Sequence, residues 1–121
     1  MTDDRWRSPL GSRYASPAMQ RLWGEPHRIG LWRRVWLALA ESERELGLDI
    51  PEAALAEMRA HLDDADLATA AEYERRFRHD VMAHIHAFAD QAPAARPFIH
   101  LGATSAFVTD NTDLIILREA M

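Results

Sequence analysis

The sequence predicts an all-α domain, and three observations predict it. Apolar residues recur at helical spacing, start and stop signals punctuate them, and no stretch alternates with the two-residue period of a half-buried strand. Its 121 residues suit one domain with a modest core, and 48% hydrophobic against 27% charged residues is a composition that folds rather than staying disordered.

Several function classes fall away on composition. A formal charge of -5 argues against a nucleic-acid partner, which requires a basic face to displace counterions. All 14 basic residues are arginine, so no lysine is present for Schiff-base chemistry or a phosphate-loop site. Zero cysteines exclude disulfides, zinc thiolates and thiol nucleophiles together, in keeping with a reducing cytoplasm. The start, MTDDRWRSPL, carries charges where a signal peptide needs an apolar stretch, and no run reaches the roughly 18 apolar residues of a membrane span. A cytoplasmic location with no membrane partner is expected.

The elements follow in order. Residues 1–27 scatter Pro9, Gly11, Pro17, Gly24 and Pro26 without a sustained period and read as a loop-rich arm. From Ile29 to Leu46, Trp32, Val35, Trp36, Leu39 and Leu46 form an apolar stripe, while Arg33, Arg34, Glu41, Glu43, Arg44 and Glu45 fill the other faces. Gly47 supplies the C-cap, and Pro51 suits the first turn of a second helix reaching about Leu62. Asp63, Asp64 and Asp66 offer N-caps to a third helix from Leu67. That helix either continues into HDVMAHIHAFAD or breaks just before it. Pro93 and Pro97 bracket a linker, Gly102 makes a turn, and Thr104 or Ser105 caps a last helix that is still strongly apolar at Leu114, Ile115, Ile116 and Leu117. With no C-cap signal before Met121, this helix reads as cut short, and the chain as truncated.

Two clusters carry candidate chemistry. RFRHDVMAHIHAF holds His79, His84 and His86, but at about 100° per residue His79 and His86 share one helix face while Asp80 and His84 share another. Each face offers two ligands where a metal needs three or four, so no metal site is expected. His84 and His86, taken singly, read as partly exposed helix residues that serve packing or helix contacts. His79, between Arg78 and Asp80 at a helix start, stands where a guanidinium, an imidazole and backbone donors can converge on an anion. In HLGATSAFVTDNTD, His100, Thr104 and Ser105 surround a small-residue turn at a helix mouth. Two readings stand there: an anion cradle of hydroxyl, imidazole and N–H donors, or an ordinary helix cap. Arg13 and Tyr14 in the arm offer a bidentate cation and a phenolic hydroxyl.

Taken in series, SPLGSRYAS, WLALAESERELGL, RFRHDVMAHIHAF and FIHLGATSAFVTDNTDLIILR resemble the N-terminal region of the adenylosuccinate lyase family, within the fumarase/aspartase superfamily. The resemblance runs from Ser8 to Met121. The hydroxyl turn followed by Asp-Asn is common to the superfamily, whereas the Arg-Tyr arm and the Arg-His-Asp-Val run point to this branch. It implies an arm over residues 1–27, a helical N-terminal domain over 28–103, and the start of a long bundle helix over 104–121. The implied reaction is elimination of fumarate from a succinylated purine nucleotide, without cofactor or metal, in a homotetramer. It also implies that Arg13 and Tyr14 hold the nucleotide phosphate, that Arg78, His79 and Asp80 line the nucleotide and succinyl region, that His100 supports the site, and that Thr104 and Ser105 hold a fumaryl carboxylate. The family's general-acid segment and its Met-Pro-x-Lys-x-Asn loop have no counterpart here, so no catalytic acid or base is expected in this chain and it is expected to be inactive alone. Two other readings stay open: another lyase or a cycloisomerase of the superfamily, and a non-catalytic helical binding or assembly module.

Overall fold

The computed structural model describes residues 4–121, and across them the chain is helical with no strand. The first three residues of the expected arm lie outside the described residues. The remainder of the arm is more ordered than its glycines and prolines suggest. A π-helical turn spans Leu10–Tyr14, and α1 (Pro17–Leu22) follows, started by Ser16, whose Oγ accepts the Met19 N–H at 3.1 Å. Pro17 occupies the first helical position, where a missing N–H costs nothing, so a residue pair that reads as a loop opens a helix instead.

Helix α2 (Glu25–Glu45) starts with Pro26 in its first turn, earlier than the apolar stripe alone indicates. It ends as the glycine predicts. Gly47 adopts φ +108°, and the Leu48 and Gly47 amides donate to the Glu43 and Arg44 carbonyls, closing a Schellman motif. Helix α3 (Glu52–Ala60) takes Pro51 as its N-cap, and α4 (Leu67–Phe77) is capped by Asp66, whose carboxylate accepts both the Thr69 N–H and its hydroxyl. Helix α5 (Asp80–Gln91) packs back along α4 after a two-residue break, and a short 3-10 turn at Pro93–Ala95 leads to α6 (Ser105–Ala120).

The core is built around α2. Ile29, Trp32, Trp36, Leu37 and Ala40 meet Leu55 and Met58 of α3, Val81 and Phe88 of α5, and Val108 of α6. Trp36 stands at its centre, wholly buried, with its ring stacked 6.3 Å from Phe88 and edge-on to Trp32 at 6.1 Å. Two residues depart from the stripe pattern. Leu46 is exposed, because it is the C-cap residue where the chain leaves the helix. Arg33, expected on a polar face, is completely buried. Its guanidinium lies 4.4 Å from the Phe88 ring centre, and Nη1 donates to the His61 carbonyl at 2.6 Å. Burial pushes its pKa down to about 10, with Asp64 and Asp66 opposing, so the buried group still carries its charge at neutral pH.

Helix α6 docks on α1 and α2 through one stripe, Val108, Thr112 and Ile116, spaced four residues apart. Leu114 and Leu117 on another face remain exposed, and His27 and Glu119 pair at 2.7 Å across the gap between α2 and the end of α6. No helix among the described residues is long and apolar enough to cross a membrane.

Candidate functional site

The break between α4 and α5 falls within Arg78-His79. Arg78 closes α4 in the left-handed conformation, φ 52°, and its N–H donates to the Glu74 carbonyl at 2.7 Å. That reversal lets His79 go extended and act as the N-cap of α5. The cap bond uses Nδ1, which accepts the Met82 N–H at 3.2 Å, so a neutral His79 carries its proton on Nε2. Nε2 then points to Ser105, 3.4 Å from Oγ, a long contact that joins two motifs 26 residues apart. Asp80 opens α5, its Oδ1 accepting the Val81 N–H at 2.8 Å.

The second cluster is built by the turn before α6. His100 lies at φ 66° and Gly102 at φ 74°, with the Ala103 N–H returning to the His100 carbonyl at 3.2 Å. The half-buried His100 ring is fixed from beneath: the Trp36 indole N–H donates to Nδ1 at 3.0 Å, and the two rings meet edge-on at 6.0 Å. Burial lowers the His100 pKa, and the nearby His79 pushes in the same direction, so this imidazole is neutral at neutral pH. Thr104 is the N-cap of α6 by backbone, yet its side chain makes no capping hydrogen bond. Thr104 is exposed and stands beside Ser105 at the mouth of α6.

Among the described residues, two that are not glycine have positive φ, and they are Arg78 and His100. Each such residue costs on the order of 1 kcal/mol, a strain that concentrates at functional sites. Arg78 and His100 share that backbone signature, and His79 and Ser105 join the two turns through their 3.4 Å contact. The face they form is open: His79, Asp80 and Thr104 are exposed.

Arg13 and Tyr14 are not part of that network. Both are exposed, and among the described residues no hydrogen bond or ion pair ties them to His79, His100 or Ser105. Tyr14 instead lines an apolar groove with Leu10, Met19 and Trp23. Two concavities lie along this arm and α1, one of them lined by His27, and neither is lined by His79, His100 or Ser105.

The three histidines of the run go separate ways. His79 caps, His84 is buried edge-on against Trp32 at 5.5 Å, and His86 packs on Phe77 and Tyr73 at 4.9 and 5.2 Å. Among the described residues no group of three or more His, Asp or Glu converges as a metal-ligating set. Sequence reasoning missed Trp36 as a partner of the site, because an apolar-face tryptophan reads as core and nothing local signals a bond 64 residues away. It also missed the role of Met82, which acts through its backbone.

No family model matches the chain. Curated relatives do. The chain is 48% identical to adenylosuccinate lyase of Schistosoma mansoni over 118 residues, 48% identical to that of Saccharomyces cerevisiae over 120, and 50% identical to that of Schizosaccharomyces pombe over 119. These matches take in 98%, 97% and 96% of the chain. In each case the chain spans about 25% of the relative's length.

Proposed function

We propose, for a chain that belongs to the adenylosuccinate lyase family in the stretch it spans, that its histidine and hydroxyl face is the substrate-binding wall of a carbon–nitrogen lyase. The observation that carries this reading is the His79–Ser105 contact, which brings the Arg-His-Asp and Gly-Ala-Thr-Ser motifs to one surface. The substrate class is a succinylated purine nucleotide, and the product fumarate.

The chemistry accounts for the donors. In the elimination, a base takes a proton from the carbon beside a succinyl carboxylate, the C–N bond breaks to leave the double bond of fumarate, and an acid protonates the departing nitrogen. Negative charge builds on the carboxylate as the proton leaves, and fixed donors stabilise it most. Thr104 and Ser105 supply hydroxyls, the start of α6 supplies N–H groups, and His79 supplies an imidazole N–H. Arg78 and Asp80 flank the succinyl and nucleotide region, and His100 supports it. Arg13 and Tyr14, on the exposed arm, serve the phosphate. The base and acid belong to parts of the enzyme outside this wall, and the 104–121 helix opens the bundle through which a cytoplasmic homotetramer assembles. The open face and the exposed Leu114 and Leu117 support that arrangement.

Complementation tests the reading. Mixed with chains carrying the remaining regions of an adenylosuccinate lyase, this chain is expected to restore fumarate release, followed by ultraviolet absorbance, and His79→Ala or Ser105→Ala is expected to lower that rate at least about a hundredfold. Near-full activity in both variants refutes the assignment.

A further inference from the structure

The site contains a buried donor that no motif points to. Trp36 is wholly buried, and its indole nitrogen can only donate. Its partner is His100 Nδ1 at 3.0 Å, so that nitrogen must carry a lone pair. The proton of the neutral ring is then on Nε2, at the ring edge turned away from Trp36 and the core. His79 is held the same way by a different donor, the Met82 N–H on its Nδ1 at 3.2 Å. Two imidazoles from separate elements are thereby set in one tautomer.

We infer that Trp36 is a positioning residue of the site: its indole N–H holds His100 as the Nε2–H tautomer, so that His100 and His79 present two N–H donors to one anionic or carbonyl oxygen substituent of the substrate. The geometry also opposes the imidazolium, because a protonated Nδ1 meets the indole N–H donor to donor. Burial acts in the same sense on His100. A neutral donor suits a site that must stabilise developing charge without giving up its proton in the ground state. The assignment of a substrate rests on the lyase reading above; the tautomer does not.

Nitrogen NMR of the intact chain tests the two separately. In the unaltered protein, His100 is expected to show a bare Nδ1 and a protonated Nε2, with a measurable coupling across the hydrogen bond between Trp36 Nε1 and His100 Nδ1. In Trp36→Phe, His100 is expected to become a mixture of tautomers while His79, whose Nδ1 is held by the backbone, keeps its own. A protonated Nδ1 on His100, or the absence of the cross-bond coupling in the unaltered protein, overturns the inference without requiring any variant to fold. An unchanged single tautomer in a folded Trp36→Phe protein overturns it too. If the tautomer stands but added fumarate leaves both Nε2–H signals unmoved, the lyase reading fails and the positioning by Trp36 remains.

Discussion

Two buried polar residues separate the forces that hold this domain. His84 is packed against Trp32, and burial lowers its pKa even though Glu25 lies 4.0 Å away and opposes the shift. The unfolded chain takes up protons below the ordinary imidazole value of 6.5, whereas the buried ring does so only at lower pH. Stability contributed by His84 is therefore complete above that value and is lost as pH falls through the folded pKa. His100 acts in the same direction. Thermal melts from pH 7 down to the carboxylate range are expected to show a falling midpoint, and His84→Phe is expected to flatten the slope without removing it. Arg33 gives a contrasting case. Arg33→Ala opens a cavity beside Phe88 and strands the His61 carbonyl, and is expected to cost about 3 kcal/mol in denaturant unfolding; Arg33→Met, which refills the volume, is expected to cost about half as much. Neither burial was legible in the sequence. A charge beside a tryptophan reads as the edge of a polar face, and only the arrival of α5 and the His61 carbonyl from elsewhere in the chain reverses it.

At the scale of elements, the ends of the helices were the legible part. Gly47 and Asp66 each mark a boundary by local chemistry that the structure uses there, and Thr104 marks the start of α6 by position, without a side-chain cap bond. The arm was less legible, since Ser16-Pro17 has the same composition whether it turns or caps. The break at Arg78 is not legible in the sequence, because an arginine carries no mark of left-handed backbone. That position yields a prediction with opposed effects. Arg78→Gly relieves the φ 52° strain and is expected to raise stability by about 1 kcal/mol, while weakening anion binding at the α5 start. Gly47→Ala is the converse control: open space surrounds its Cβ, yet φ +108° should cost about 1 kcal/mol through the backbone alone. Chemical denaturation of the two variants, read side by side, checks both signs.

For the whole molecule, the resemblance of separated motifs told more than any single one, because only the fold shows which of them meet. His79 and Ser105 meet across 26 residues and His100 is held by Trp36, while Arg13 and Tyr14 stay on the arm. Helix α6 uses one stripe on α1 and α2 and leaves Leu114 and Leu117 uncovered. Apolar surface of this kind drives association, so the chain is expected to self-associate at high concentration in sedimentation experiments, and Leu114→Glu with Leu117→Glu to shift it toward monomer. In the proposed arrangement the histidines and the α6 mouth form one anion-receiving surface. Titrating the isotopically labelled chain with fumarate addresses it most directly: the ring Nε2–H signals of His79 and His100 and the Ser105 and Ala106 amides are expected to move together on a single saturable curve, lost in His79→Ala. Independent curves for the two histidines, or a response confined to other residues, would contradict it.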